Sequence, residues 1–230
     1  MRTVCGWARL LGRPLRRRAP AVRPVAYARP VAAGRPLLSG EPGEQRRSGC
    51  RLDQVDTTTC GSAVLVALAA WADPAELDRL ELGQLSGGRV RGFGERYDER
   101  QRQVHRQTNR FWPRAFGTTP WAMVAWLRRN VPAAGRYRVR LVDDLDAADV
   151  ASVRARIDAA LAAGRPVPLL VGSTVPRHYV LAVGHHGGGE WRIYEPTGGA
   201  VRVVDPALAG GRRLGTALGW DRLHAALLPA

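Results

Sequence analysis

The chain has 230 residues, 45% of them hydrophobic, enough for one domain of ordinary size with a real core. No run approaches the ~18 to 20 apolar residues of a spanning helix, so no transmembrane segment is expected. The net charge of +15 is uneven: residues 1–51 hold 12 arginines against 2 acids (net +10), leaving a net +5 on residues 52–230, and with no lysine anywhere the excess reads as compositional bias, so nucleic acid is not expected as a partner.

In chain order, residues 1–48 repeat RPLRRRAP, VRP, ARP and GRP without apolar periodicity. They read as a disordered or polyproline-like arm. Arg9 interrupts the opening MRTVCGWARLLG, so a secretory apolar region is not seen and the expected localisation is cytoplasmic. Residues 49–230 form the expected domain. Thr57 to Thr59 offer hydroxyl caps, and Cys60 to Trp71 is an apolar helix, hydrophobic nearly all round and therefore buried. Asp73-Pro74 starts a short helix through Leu80. GGRVRGFG is a loop. Glu95 to Trp112 is a charged helix expected to face solvent. Thr119-Pro120 starts an amphipathic helix to about Asn130, with Trp121 and Trp126 in its core stripe.

Beyond Gly135 the period changes. YRVRLVD alternates as a half-buried strand, and Ala147 to Ala163 is a helix ended by Gly164. PVPLLVG, HYVLAVG, WRIYEP and AVRVVD are strands, with HHGGG and PTGG as turns, and LHAALLP is a last strand. The fold class is α+β, with helices first and an antiparallel sheet second.

Three cysteines, Cys5, Cys50 and Cys60, make no disulfide framework. No Cys/His cluster has metal spacing, and the His185–His186 pair lacks further ligands, so no metal or organic cofactor is expected. His105 sits among helix charges, and His224 has no partner motif.

One constellation carries chemistry. Gln54 precedes Cys60 by six positions, and Cys60 opens the apolar helix. Unpaired N–H groups at a helix start favour a thiolate, and a nearby amide donor can bind the oxyanion formed when that thiolate attacks a carbonyl. His178 in RHYVLAVG supplies a base and Glu195 in WRIYEPTGG an acid to orient it. A hairpin turning near Gly187 would put His178 opposite Pro196, beside Glu195. Each residue also has a plain alternative: a buried cysteine acting as a small hydrophobe, a strand-end histidine, a loop glutamine, a turn acid before proline.

The segments QVDTTTCGSAVLVAL, RHYVLAVG and IYEPTGG together resemble the papain-like cysteine peptidase superfamily, in particular the stand-alone relatives of double-glycine (bacteriocin-leader) peptidases. The resemblance implies a papain-like fold, with a buried nucleophile helix in an N-terminal helical half and a C-terminal antiparallel sheet. It implies Cys60 as nucleophile, His178 as base, Gln54 as oxyanion donor and Glu195 as orienting acid, acting on a peptide or protein substrate. The family pattern has Asp or Asn where this chain has Glu195. The long segment between the cysteine helix and the first strand has no counterpart in it. Three other readings stay open: a catalytically inactive papain-like module that binds a peptide or protein, a transamidase or deamidase using the same thiol chemistry, and an arginine-rich binder of nucleic acid or an acidic partner that uses residues 1–51 as a tether.

Overall fold

The computed structural model of the protein describes residues 1–11, 36–82, 91–110, 113 and 117–230. In chain order the elements are α1 (Val4–Leu11), β1 (Gly43–Glu44), β2 (Arg46–Arg47), β3 (Cys50–Arg51), α2 (Cys60–Ala72), α3 (Pro74–Leu82), α4 (Phe93–Thr108), α5 (Pro120–Asn130), β4 (Tyr137–Leu141), α6 (Ala147–Ala162), β5 (Val167–Gly172), β6 (Pro176–His185), β7 (Trp191–Glu195), β8 (Ala200–Val204), α7 (Ala207–Gly210), α8 (Gly215–Leu218) and β9 (Arg222–Pro229). This is a mixed α+β architecture. Its described residues divide into two units: one takes 1–11, 137–193 and 202–230, the other 36–82, 91–110, 113, 117–136 and 194–201.

The first unit is built on antiparallel strands in the order β6-β5-β9-β4. Every position of β5 is buried, as its unbroken apolar run requires. Asp146 caps α6 by accepting from the N–H groups of Ala148 and Asp149. Gly164, at φ +68, lets the chain leave that helix in the left-handed conformation. Val150, Val153 and Ile157 of α6 then pack on Val167, Leu169, Val171, Val180 and Ala182.

The second unit is helical. α2 is buried at every position but Trp71, so its lack of a polar face is explained by full enclosure. α3 is tied to α4 through Glu76, 2% exposed, which accepts from Arg79 Nη1 at 2.5 Å and Arg100 Nε at 2.5 Å. Thr119 caps α5 by accepting from the Ala122 N–H, with Pro120 at the first position. β1 pairs with Ala200 and Val201. No single helix among the described residues is long and apolar enough to cross a membrane, and α2 and α3 meet at a 112° bend.

Four expectations need correction. Helix α4 does not mostly face solvent: Phe93, Tyr97, Gln101, Val104, His105 and Thr108 are buried, at helical spacing, while the charges occupy the remaining faces. The expected last residues, 111 and 112, lie outside the described residues. Trp121 is 59% exposed rather than core, because the buried stripe of α5 runs through Met123, Trp126 and Leu127, and position 121 falls outside it. Two parts of the stretch expected to be an irregular arm are structured. Residues 43–44 and 46–47 form short strands, and residues 4–11 form α1. Helix α1 is held by distant acids: Arg2 Nε donates to Asp143 at 2.8 Å, and Arg9 Nη2 to Asp149 at 3.0 Å. Residues 12–35 of that arm lie outside the described residues. The fourth is the turn after β6. The His186 N–H donates to the Glu190 carbonyl at 2.8 Å, which centres the turn on Gly188, one residue beyond Gly187.

Candidate active site

Gln54, Cys60 and Glu195 fall in the second unit, and His178 falls in the first. Cys60 is the first residue of α2 and is 5% exposed. The turn before it is locked by two residues. Asp56 accepts from the Thr58 N–H at 2.8 Å and the Thr58 hydroxyl at 2.7 Å. Thr59 Oγ1 accepts from the Asp56 N–H at 3.0 Å and donates to the Asp56 carbonyl. Burial works against the Asp56 charge, but the Thr58 bonds and the nearby His105 outweigh it, and the carboxyl lies below its ordinary range. At a helix start the Cys60 N–H has no intrahelical acceptor, so an electronegative atom placed there meets a ready donor.

Gln54 lies in the loop leading to that turn. Its backbone N–H donates to the Pro196 carbonyl at 2.8 Å. Its Nε2 donates to the Asp56 carbonyl at 2.7 Å, and its Oε1 accepts from Thr197 Oγ1 at 3.4 Å. A carboxamide has two N–H donors, so one stays available for a ligand oxygen.

Glu195 is 5% exposed and ends β7. Its Oε1 accepts from the Thr197 N–H at 2.7 Å and its Oε2 from the Gly198 N–H at 2.8 Å. The acid thus organises the turn that touches Gln54. Tyr194, just before it, donates from its hydroxyl to the Leu52 carbonyl at 2.6 Å and lies 3.3 Å from the Tyr97 hydroxyl. Burial pushes the phenols of Tyr97 and Tyr194 well above the ordinary tyrosine value, so both stay neutral hydrogen-bonding groups.

His178 is 6% exposed on β6, opposite Val171 of β5. Strand alternation gives it the face of Val180 and Ala182, which pack under α6.

The other sequence candidates divide. His105 is buried, with its Nδ1 3.2 Å from Asn109 Nδ2. His224 is fully buried in β9, its Nε2 3.0 Å from the Ser173 carbonyl oxygen. His185 lies 3.4 Å from Asp158. All three cysteines are free, and burial, then the Asp144 charge, push the Cys5 thiol up to about 11. Among the described residues no group of three or more His, Cys, Asp or Glu is placed to hold a metal ion.

Sequence reasoning missed two features. A cavity of about 400 Å³ opens between α4 and α5, walled by Gln107, Arg110, Trp121 and Arg129; exposure of Trp121 was the feature its periodicity concealed. Gln101, fully buried, reaches the loop that carries Gln54. The only signal for it was a polar residue on the apolar stripe of α4. No protein-family model, no curated protein and no solved structure matches the chain.

Proposed function

We propose that the protein is a papain-like cysteine hydrolase that cleaves a peptide or amide bond through an acyl-thioester. The supporting observation is the hydrogen-bonded neighbourhood of three candidate residues: Gln54 is bonded to Pro196 and Thr197, directly after Glu195, and its loop leads without a break to Cys60 at the start of a buried helix. The Cys60 thiolate attacks the carbonyl carbon and forms the C–S bond. The oxyanion takes hydrogen bonds from the Gln54 side chain and the Cys60 N–H. His178 hands its proton to the leaving amine as the C–N bond breaks, and water then hydrolyses the thioester. Peptide and protein substrates suit this chemistry.

Glu195 favours a second reading. Both its oxygens accept from turn N–H groups, which gives the acid a structural role in holding the 195–198 turn. A peptide- or protein-binding module of the same fold would keep that role and lack the chemistry.

Rate-resolved alkylation separates the two. Limiting iodoacetamide is applied between about pH 5 and 8, and labelled positions are read by peptide mass spectrometry. A hydrolase labels Cys60 ahead of Cys5 and Cys50 at the acid end, and His178→Ala slows that labelling. If Cys60 labels no faster than Cys5 and ignores the histidine change, the binding-module reading replaces this one.

A further inference from the structure

Gln101 sits on the buried stripe of α4, one turn beyond Tyr97, and is 0% exposed. An aliphatic side chain would fill such a position without the need to satisfy a carboxamide. This carboxamide is satisfied in one specific way. Its Nε2 donates to the Asp53 carbonyl at 2.9 Å, and its Oε1 accepts from the Val55 N–H at 3.3 Å. Asp53 and Val55 flank Gln54. A donor and an acceptor on one rigid amide plane therefore grip the backbone on both sides of Gln54, as a neighbouring strand would. The reverse orientation of the amide would set NH₂ against N–H and C=O against C=O, so the two bonds fix the assignment. On the third backbone group, the Gln54 N–H is held by the Pro196 carbonyl. With those groups fixed, the Cα–Cβ direction of Gln54 is set, and from that base its carboxamide reaches the Asp56 carbonyl at 2.7 Å and the Thr197 hydroxyl at 3.4 Å.

We infer that Gln101 is a positioning residue: it aims the Gln54 carboxamide at the carbonyl oxygen of the substrate. The inference rests on the cysteine-hydrolase reading. Glutamine meets the requirement because it alone combines this length with a donor and an acceptor. Glutamate lacks the donor for the Asp53 carbonyl, and methionine, of similar shape, lacks both groups.

The test uses two small probes on the full chain. Iodoacetamide alkylates the Cys60 thiolate by displacement at carbon and forms no oxyanion. p-Nitrophenyl acetate acylates it: the thiolate attacks the acetyl carbonyl, an oxyanion forms, and p-nitrophenolate leaves as the C–O bond breaks. The proteins are wild type, Cys60→Ser, Gln54→Ala, Gln101→Met, Gln101→Glu and the double variant Gln54→Ala/Gln101→Met. Thermal melts check that each is folded, and Gln101→Glu carries the test if Gln101→Met does not fold.

The expected result is that Gln101→Met slows Cys60 acylation by on the order of 10-fold or more while alkylation stays within about twofold. The double variant should acylate no more slowly than Gln54→Ala alone, because the two residues act as one unit. A purely structural role would instead slow both probes together, or add to the Gln54 effect, and either outcome overturns the inference. If wild type acylates no faster than Cys60→Ser, the hydrolase reading fails and this inference falls with it. If wild type acylates and Gln101→Met matches it, the hydrolase reading stands and only this inference is lost.

Discussion

Thr3 gives both its backbone N–H and its hydroxyl to one carboxylate oxygen of Asp144, at 3.1 and 3.0 Å. The same hydroxyl oxygen accepts from the Gly6 N–H at 2.9 Å, which makes Thr3 the cap of α1. Asp144 also receives Arg222 Nη1 at 3.2 Å. The start of the chain is thereby fastened to residues 141 positions away.

Thr3→Val tests how much of that fastening is the hydroxyl. It keeps the shape and removes the cap and one bond to a buried charge. The expected loss is about 1 to 2 kcal/mol in a urea titration, with the slope unchanged. A change under a few tenths of that would mean the salt bridges of Arg2 and Arg9 hold α1 without Thr3.

His224 makes the first unit sensitive to mild acid. Burial comes first in lowering its pKa below the ordinary histidine value; the Ser173 carbonyl and Asp144 oppose this, and Arg222 reinforces it. A base with a depressed folded pKa is neutral in the native state, so the unfolded chain binds the proton first. Its contribution is fully present above the unfolded value of about 6.5 and is lost as pH falls below it. The melting temperature of wild type should therefore drop between pH 7.5 and 5 more steeply than that of His224→Gln. An equal drop in both would remove His224 from the acid response.

Gly199 closes the turn that carries Glu195 and Thr197. It has φ +58, and a Cβ there would lie 2.8 Å from Arg51 Cγ and 3.1 Å from the Leu52 carbonyl oxygen. Gly188, at φ +75, has open space around it. Gly188→Ala should cost about 1 kcal/mol, the left-handed backbone penalty alone, and Gly199→Ala at least about 2 kcal/mol, because backbone must also move. Denaturant midpoints measure both. Equal costs would show that the turn yields freely at Gly199.

Local pattern carried a large part of this protein. The apolar run after Thr59 could only be an enclosed helix, and α2 is one. Thr119-Pro120 and Gly164 marked helix ends by their backbone chemistry, and each does that job. The stretches read as strands after Gly135, alternating in YRVRLVD and unbroken apolar in PVPLLVG, became β4 to β9, the last from LHAALLP. Gln54 and the Glu195 turn, named from motifs far apart in sequence, are hydrogen-bonded neighbours.

What local pattern missed shares one cause. The helix α1 forms in an arginine-rich stretch because Asp143, Asp144 and Asp149 meet it from far along the chain. The buried side of α4 was hidden among charges, since a helix with one apolar stripe in three faces looks polar on average. His224 became a buried group because its strand lies in the interior of a sheet. Gln101 acquired a role only when α4 met the backbone of residues 53–55. Periodicity and capping are properties of neighbours in sequence, and they decide which segments become helix or strand. Burial of a charge, the partner of a carboxamide and the exposure of one tryptophan depend on contacts between segments, and those the tertiary structure alone decided.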